Sequence, residues 1–186
     1  MSALKRIVVF ASGSGSTFAY LYDEGRDDFE ISALFCNRVE AGVREKARQR
    51  GVPVVDIKAD GKWKETLRQL KPDLICLAGY LKAIPEDIVE AFRGKILNVH
   101  PALLPKFGGK GFYGHHVHEA VIQSAQAISG ATVHRVDEGI DTGSILAQSV
   151  VEVRPDMDAD SLAAAVQAVE KPLFLNTIRK VLEEEA

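Results

Sequence analysis

The chain has 186 residues, with 23 Lys and Arg set against 26 Asp and Glu for a formal charge of −3. With 46% hydrophobic and 26% charged residues it has the make-up of one folded domain, rich enough in apolar material to offset the entropy of ordering. That balance excludes a disordered chain and speaks against a nucleic-acid binder, which would carry a basic excess. The longest apolar runs, such as residues 7–11, are far shorter than the roughly 20 residues of a membrane span or the about 7–15 of a secretory leader's apolar stretch. The two cysteines, Cys36 and Cys76, lie in apolar strand-like segments and read as small buried residues rather than a disulfide scaffold. The expectation is a compact cytoplasmic domain, an enzyme or a small-molecule binder, without membrane or nucleic-acid partners.

Apolar runs alternate with helical patterns along the chain. Residues 6–11 (RIVVFA) form a β-branched run suited to a strand covered on both faces, followed by Ser12, Gly13, Ser14, Gly15, Ser16 and Thr17 and an amphipathic stretch to about Glu24. Strands are predicted at 30–36, 53–57, 73–78 and 95–99, and helices at 40–50, 62–70 and 85–92. In the second helix of that group Trp63, Leu67 and Leu70 share one face, and in the third Pro85 stands in the first turn, where its missing N–H costs nothing. Strands alternating with helices imply a Rossmann-like α/β fold: a mostly parallel central sheet with helices on both faces. After residue 99 the rhythm changes. A Pro- and Gly-rich loop at 101–114 precedes a helix at 118–126. Two strands at 130–136 and 144–153 then sit close enough to pair antiparallel, and a last helix at 161–183 has Asp160 as its N-cap. The acidic residues 183–185 read as a solvated terminus.

Open sheets of this kind bind ligands beyond the carboxyl ends of their strands, so loops there carry the most weight. Gly13 and Gly15 permit close approach to a ligand, while Ser12, Ser14, Ser16 and Thr17 supply hydroxyl and N–H groups at a helix start, a cradle for phosphate. The P-loop spacing is absent, and Phe18 replaces the third glycine of the dinucleotide fingerprint. The bland alternative is a flexible strand–helix turn. In the run 98–105 (NVHPALLP), Asn98 and His100 alternate with Val99 and so share a strand face, with Pro101 ending the strand. Histidine suits proton transfer near neutral pH and asparagine can donate to an oxyanion, although a lone histidine more often caps a sheet. Asp137, Glu138 and Gly139 look like an acidic turn. Asp141, by contrast, is placed to face His100 and raise its pKa by favouring the imidazolium. His115, His116 and His118 do not converge on one helix face as metal ligands would, and Lys106, Gly108, Gly109 and Lys110 look like a mobile lid or surface loop.

Taken together and in this order, the GSGST, NVHPALLPK and DEGIDTG segments resemble the phosphoribosylglycinamide formyltransferase family, over residues 6 to about 182. The resemblance implies direct attack of a glycinamide amine on the formyl carbon of 10-formyltetrahydrofolate, a co-substrate, with no metal. By it, Asn98 donates to the oxyanion and His100, assisted by Asp141, stabilises it and acts as general acid. Gly13, Gly15, Ser16 and Thr17 hold the phosphate, and Glu170 binds the ribose, although by pattern alone Glu170 would be an exposed helix residue. Folate lies along Leu81, Lys82, Ala83 and Ile84, with Asn98 and with Asp137, Glu138, Gly139, Ile140 and Asp141. Thr17 stands where the family often has Asn and Lys82 where it often has Arg, and the segment between Ile57 and Trp63 is short, so folate-tail preference is expected to differ. A formyltetrahydrofolate hydrolase, a tRNA-directed formyltransferase and a non-catalytic phosphoribosyl-binding module are the rivals. The first two carry additional domains, and a chain that starts at its first strand and stops in its last helix is expected to be a single domain, 1–186, acting on a small-molecule amine. A monomer and a homodimer both fit.

Overall fold

The computed structural model describes residues 4–184. The elements run β1 (Lys5–Ala11), α1 (Ser16–Gly25), β2 (Phe29–Cys36), α2 (Val43–Gln49), β3 (Val54–Asp56), α3 (Lys62–Leu70), β4 (Leu74–Leu77), α4 (Glu86–Ala91), β5 (Ile96–His100), α5 (His115–Gln123), β6 (Ile128–Arg135), β7 (Ile145–Glu152) and α6 (Ala159–Glu184). The strands form one seven-stranded sheet in the order β3-β2-β1-β4-β5-β6-β7. β1 pairs parallel with both β2 and β4, β2 pairs parallel with β3, and β6 pairs antiparallel with both β5 and β7. This is the Rossmann-like arrangement that the alternation of elements implies. Two compact units divide the chain, one running to Ile96 and resuming at Val181, the other covering Leu97–Lys180.

In the first unit, β1 and β4 are flanked by strands and are buried from Ile7 to Ala11 and from Leu74 to Leu77, which explains their unbroken apolar runs. An aromatic cluster supports the carboxyl end of β1. Phe10 stacks on Phe35 with centroids 4.8 Å apart, and Trp63 and Tyr80 meet Phe10 edge-on at 5.9 and 5.4 Å. Trp63 and Leu67 are the buried face of α3, as its spacing predicts. Connections leave β1 in opposite directions, to β2 on one side and, after β3, to β4 on the other. The residues just after β1 therefore lie at the switch in strand order, where such sheets open a crevice.

In the second unit, β6 is almost wholly buried and β7, the sheet edge, is partly exposed. Two boundaries differ from expectation. α5 begins at His115 and ends at Gln123, three residues earlier than predicted at each end, so the histidines start the helix rather than precede it. The cap of α6 is Asp158, not Asp160. Its carboxylate accepts from the Ser161 N–H at 2.8 Å while the Ser161 hydroxyl accepts from the Asp158 N–H at 3.0 Å, a reciprocal box that places Asp160 inside the first turn. α6 also accommodates Pro172, which removes one main-chain donor from the helix interior. Of the acidic terminus, Glu185 lies outside the described residues.

Asp158→Ala is expected to lower stability by about 1 kcal/mol in urea denaturation, whereas Asp160→Ala, with no capping bond to lose, shifts the midpoint far less.

Candidate functional site

Two groups of residues stand out, one in each unit. In the first, β1 ends at Ala11 and the chain turns through Ser12 to Gly15 before α1 starts at Ser16. Gly15 is the N-cap, in the left-handed region at φ 79°, and no side chain among the described residues makes a capping bond to this helix start. A Cβ at Gly15 would come within 2.5 Å of Val43, so this glycine is required both by its backbone angle and by the approach of α2. The loop is tied from below: Val43 N–H donates to the Gly13 carbonyl at 3.1 Å and Lys46 Nζ to the Ser14 carbonyl at 2.7 Å. Ser12 differs from its expected role as a ligand hydroxyl. It is buried, its Oγ donates to Asn37 Oδ1 at 2.7 Å and accepts from the Leu81 N–H at 3.1 Å, so it braces the loop. That second bond also ties the loop to the segment after β4, where Leu81, Lys82 and Ala83 are exposed and Ile84 is half-buried.

In the second unit, β5 extends to His100, and the antiparallel register sets Asn98 opposite His134 and His100 opposite Thr132. Asn98 and His100 share a strand face, as their alternation predicts. The Asn98 amide nitrogen lies 3.0 Å from His134 Nε2, while His134 Nδ1 lies 2.9 Å from the Arg135 carbonyl. A carbonyl only accepts, so Nδ1 carries the proton and the bare Nε2 accepts from Asn98. This fixes which way the amide points and leaves its other N–H for a ligand. Asp141 stands at a left-handed turn, φ 57°, with side-chain exposure of only 11%. Its Oδ2 accepts from the Gly109 N–H at 3.0 Å and lies 3.6 Å from His100 Nδ1, and its Oδ1 lies 3.5 Å from His134 Nε2. The remaining ring nitrogen of His100, Nε2, donates to the Phe107 carbonyl at 2.7 Å.

Protonation states follow from this packing. Burial alone would push the Asp141 carboxyl up, but its surroundings, with the Gly109 N–H donating to it, hold it below the ordinary range, so it is charged at neutral pH. For His100 the expected rise is overturned. Asp141 and the Phe107 carbonyl do raise its pKa, yet burial outweighs them, with His134 adding to the lowering, and the ring sits below its ordinary value. His118 on α5 is lowered to about 4, first by burial and then by the His115 and His100 rings, and its Nδ1 has no hydrogen-bond partner among the described residues.

The loop after β5 is also more constrained than a mobile lid. The Thr132 hydroxyl donates to the Ala102 carbonyl at 2.7 Å and accepts from the Leu104 N–H at 3.0 Å, and Phe107 and Gly109 are held by His100 and Asp141. Asp137 caps its own turn, accepting from the Gly139 N–H at 3.0 Å and the Thr142 hydroxyl at 2.7 Å, which is the bland reading of that stretch, while Glu138 and Ile140 are exposed. Glu170 is half-buried on α6, two residues before Pro172, rather than exposed. Among the described residues no group of three His, Cys, Asp or Glu side chains gathers as a metal site would need, and no helix is long and apolar enough to cross a membrane. Sequence reasoning missed His134. Its only signal was the alternation with Thr132 on the strand predicted at 130–136; the pairing of that strand with the Asn98 strand is seen only in the structure.

The family model described as formyl transferase matches residues 5–178, and the chain belongs to this family. It is 42% identical to the chloroplastic phosphoribosylglycinamide formyltransferase of Vigna unguiculata over 97% of this chain and 62% of that protein. The chain thus spans less than two thirds of the length of this plant relative. The phosphoribosylglycinamide formyltransferase of Bacillus subtilis (strain 168) is 31% identical over 96% of this chain and 95% of its own length. Among solved structures, the phosphoribosylglycinamide formyltransferase of Anaplasma phagocytophilum superposes with a TM-score of 0.91 at 30% identity, covering 98% of this chain and 89% of that one.

Two titrations test the electrostatics. In Asp141→Asn, loss of the carboxylate that raises His100 is expected to move its ring pKa further down, read from the imidazole proton shifts in NMR. Because the folded pKa of His118 lies below its unfolded value of 6.5, its contribution is whole above pH 6.5 and is lost as pH falls toward about 4. His118→Leu should flatten the fall in stability across that window by an amount on the order of 1–2 kcal/mol, measured by denaturation at pH 7 and 4.5.

Proposed function

We propose that the chain transfers the formyl group of 10-formyltetrahydrofolate to the amine of 5-phosphoribosylglycinamide, a step of purine biosynthesis, giving the formylated nucleotide and tetrahydrofolate. The observation that carries this reading is the cluster of Asn98, His100, His134 and Asp141, an amide donor and buried imidazoles, each within 3.6 Å of the next, gathered around one carboxylate. The family membership and the names of the relatives support the reaction class.

In this reading the amine attacks the formyl carbon, and the adduct carries an oxyanion and a positively charged nitrogen. Asn98, oriented by His134, donates its remaining N–H to the oxyanion. His100 enters neutral, with Asp141 placed to favour its charged form once a proton arrives. Once the bond to the Phe107 carbonyl is exchanged and the ring proton sits on Nδ1 toward Asp141, the free Nε2 accepts the proton that the attacking nitrogen must lose and returns it to the departing folate nitrogen as the carbon–nitrogen bond to folate breaks, so atoms and charge balance. Gly13, Gly15, Ser16 and Thr17 bind the phosphate through the uncapped start of α1, and Glu170 binds the ribose. Folate is taken by Leu81, Lys82, Ala83, Ile84 and Asn98 with Asp137, Glu138, Gly139, Ile140 and Asp141. Residues 1–186 act as one formyltransferase domain, a reading supported by a family match that runs through both units. The proposal extends to a cytoplasmic enzyme of dissolved metabolites, without metal, membrane or nucleic-acid partners, as a monomer or a homodimer.

The test is formyl transfer with the purified chain. Tetrahydrofolate should form only when the phosphoribosyl amine is present; formate released equally fast without it would replace the reading with hydrolysis. His100→Ala is expected to lower kcat by at least about 100-fold while leaving nucleotide binding unchanged, in line with the usual size of general acid–base effects.

A further inference from the structure

β7 ends the seven-stranded order and bonds only to β6. Val153 N–H donates to the Ala127 carbonyl at 2.9 Å, one step beyond the pair Glu152–Ile128. In an antiparallel ladder such bonded residues recur at every second position, so residues 147, 149 and 151 turn their N–H and C=O groups toward β6. Those of Gln148, Val150 and Glu152 point away from the sheet and have no partner among the described residues. An open row of this kind is a template for another strand, and sheets usually guard it with a lysine, a proline or a bulge. The stretch 147–152 (AQSVVE) holds no Lys, Arg or Pro, and its one charge is Glu152. The single irregularity, where Leu146 is passed over between the pairs Ile145–His134 and Ala147–Val133, comes before it. Val150 stands opposite Gly130, which has no side chain to cover it, and diagonal to Ile128 on the same face. Val150 is 60% exposed and Ile128 52%, so an apolar pair flanks the open row.

We propose that β7 pairs antiparallel with β7 of a second copy of this chain, across a two-fold axis at Val150, so that the sheet continues from one copy into the next. A two-fold axis lets one edge serve both partners, and about an edge strand it generates antiparallel pairing. With Val150 opposite itself, its N–H and C=O groups bond to those of its copy, and the groups of Gln148 bond to those of Glu152. The charge pattern favours this register. Glu152 meets Gln148 of the other copy, whereas setting Glu152 against itself would oppose two carboxylates. The two Val150 side chains cover one another. The stretch 148–152 spans about 17 Å, at about 3.4 Å per residue, well short of a standard interface, so the dimer is expected at micromolar rather than nanomolar concentrations. The inference does not depend on the formyl-transfer reading, and its test does not use activity.

The experiment is sedimentation velocity of the full chain from low to high micromolar concentration, with Val150→Lys beside the wild type. Val150 N–H bonds nothing within the chain, so this exposed substitution removes no bond of the fold. The wild type is expected to pass from monomer to dimer, and Val150→Lys to need at least tenfold more protein to do so. Two further measurements remain informative should that variant melt early. In the wild type, amide hydrogen exchange at Gln148, Val150 and Glu152 should slow as concentration rises. In Val150→Cys, mild oxidation should link two copies through a disulfide, because bonded antiparallel pairs have Cα atoms about 5.5 Å apart, within disulfide reach. Val39→Cys, at a position 79% exposed and remote from β7 in sequence, is the control, and the native Cys36 and Cys76 are buried. A wild type that stays monomeric throughout, unchanged exchange at the three amides, or cross-linking of Val150→Cys no faster than of Val39→Cys overturns the proposal. A folded Val150→Lys that dimerises as readily as the wild type does so as well.

Discussion

The second unit is organised around the Asp141 carboxylate. A charge with so little access to water needs compensation, and here the Gly109 N–H donates to it at 3.0 Å while the His100 and His134 rings stand 3.6 and 3.5 Å away, able to answer it when they take up a proton. Satisfying it draws three separate stretches of chain to one point: the loop after β5, the end of β5 itself, and β6. His134 transmits the constraint onward, because a ring with its Nδ1 proton committed to the Arg135 carbonyl has only a lone pair to offer Asn98. The amide orientation of Asn98 is thus set by the His134 tautomer. Burial decides the balance for His100, leaving the ring neutral beside a charged acid, ready to accept a proton rather than already holding one.

The glycine-serine loop of the first unit depends on a different device. Its backbone carbonyls are pinned by Val43 N–H and Lys46 from α2, its first serine is locked between Asn37 and Leu81, and below it the stacked Phe10 and Phe35 rings resist movement of the strand ends. A loop that looks flexible by composition is therefore preorganised, with its donors aimed by packing rather than by a ligand. The same packing turns Ser12 inward, where its hydroxyl is used by Asn37 and Leu81.

Much of the architecture was legible from residue order. The buried runs of β1 and β4, the face of α3 marked by Trp63 and Leu67, and the alternation of Asn98 with His100 are consequences of local periodicity, and all have the predicted form. Where prediction slipped, a choice between near-equivalent local signals was involved. Asp158 and Asp160 are both good N-caps, and only the reciprocal bond with Ser161 separates them. Similarly, the helix at His115 starts earlier than its apolar pattern because the first turn is made by polar residues that carry no periodic signal.

By itself, then, the sequence determined the alternating α/β order, the positions of the glycines after β1 and the candidacy of Asn98, His100 and Asp141, since each is a matter of short-range spacing and side-chain chemistry. Tertiary structure decided what depends on proximity between distant residues. It brought His134 beside Asn98 across an antiparallel register, turned Ser12 inward, tethered the 107–109 segment, and let desolvation outweigh a neighbouring carboxylate at His100. Those outcomes rest on burial and long-range pairing, quantities that exist only once the chain has folded and that no local pattern of residues encodes.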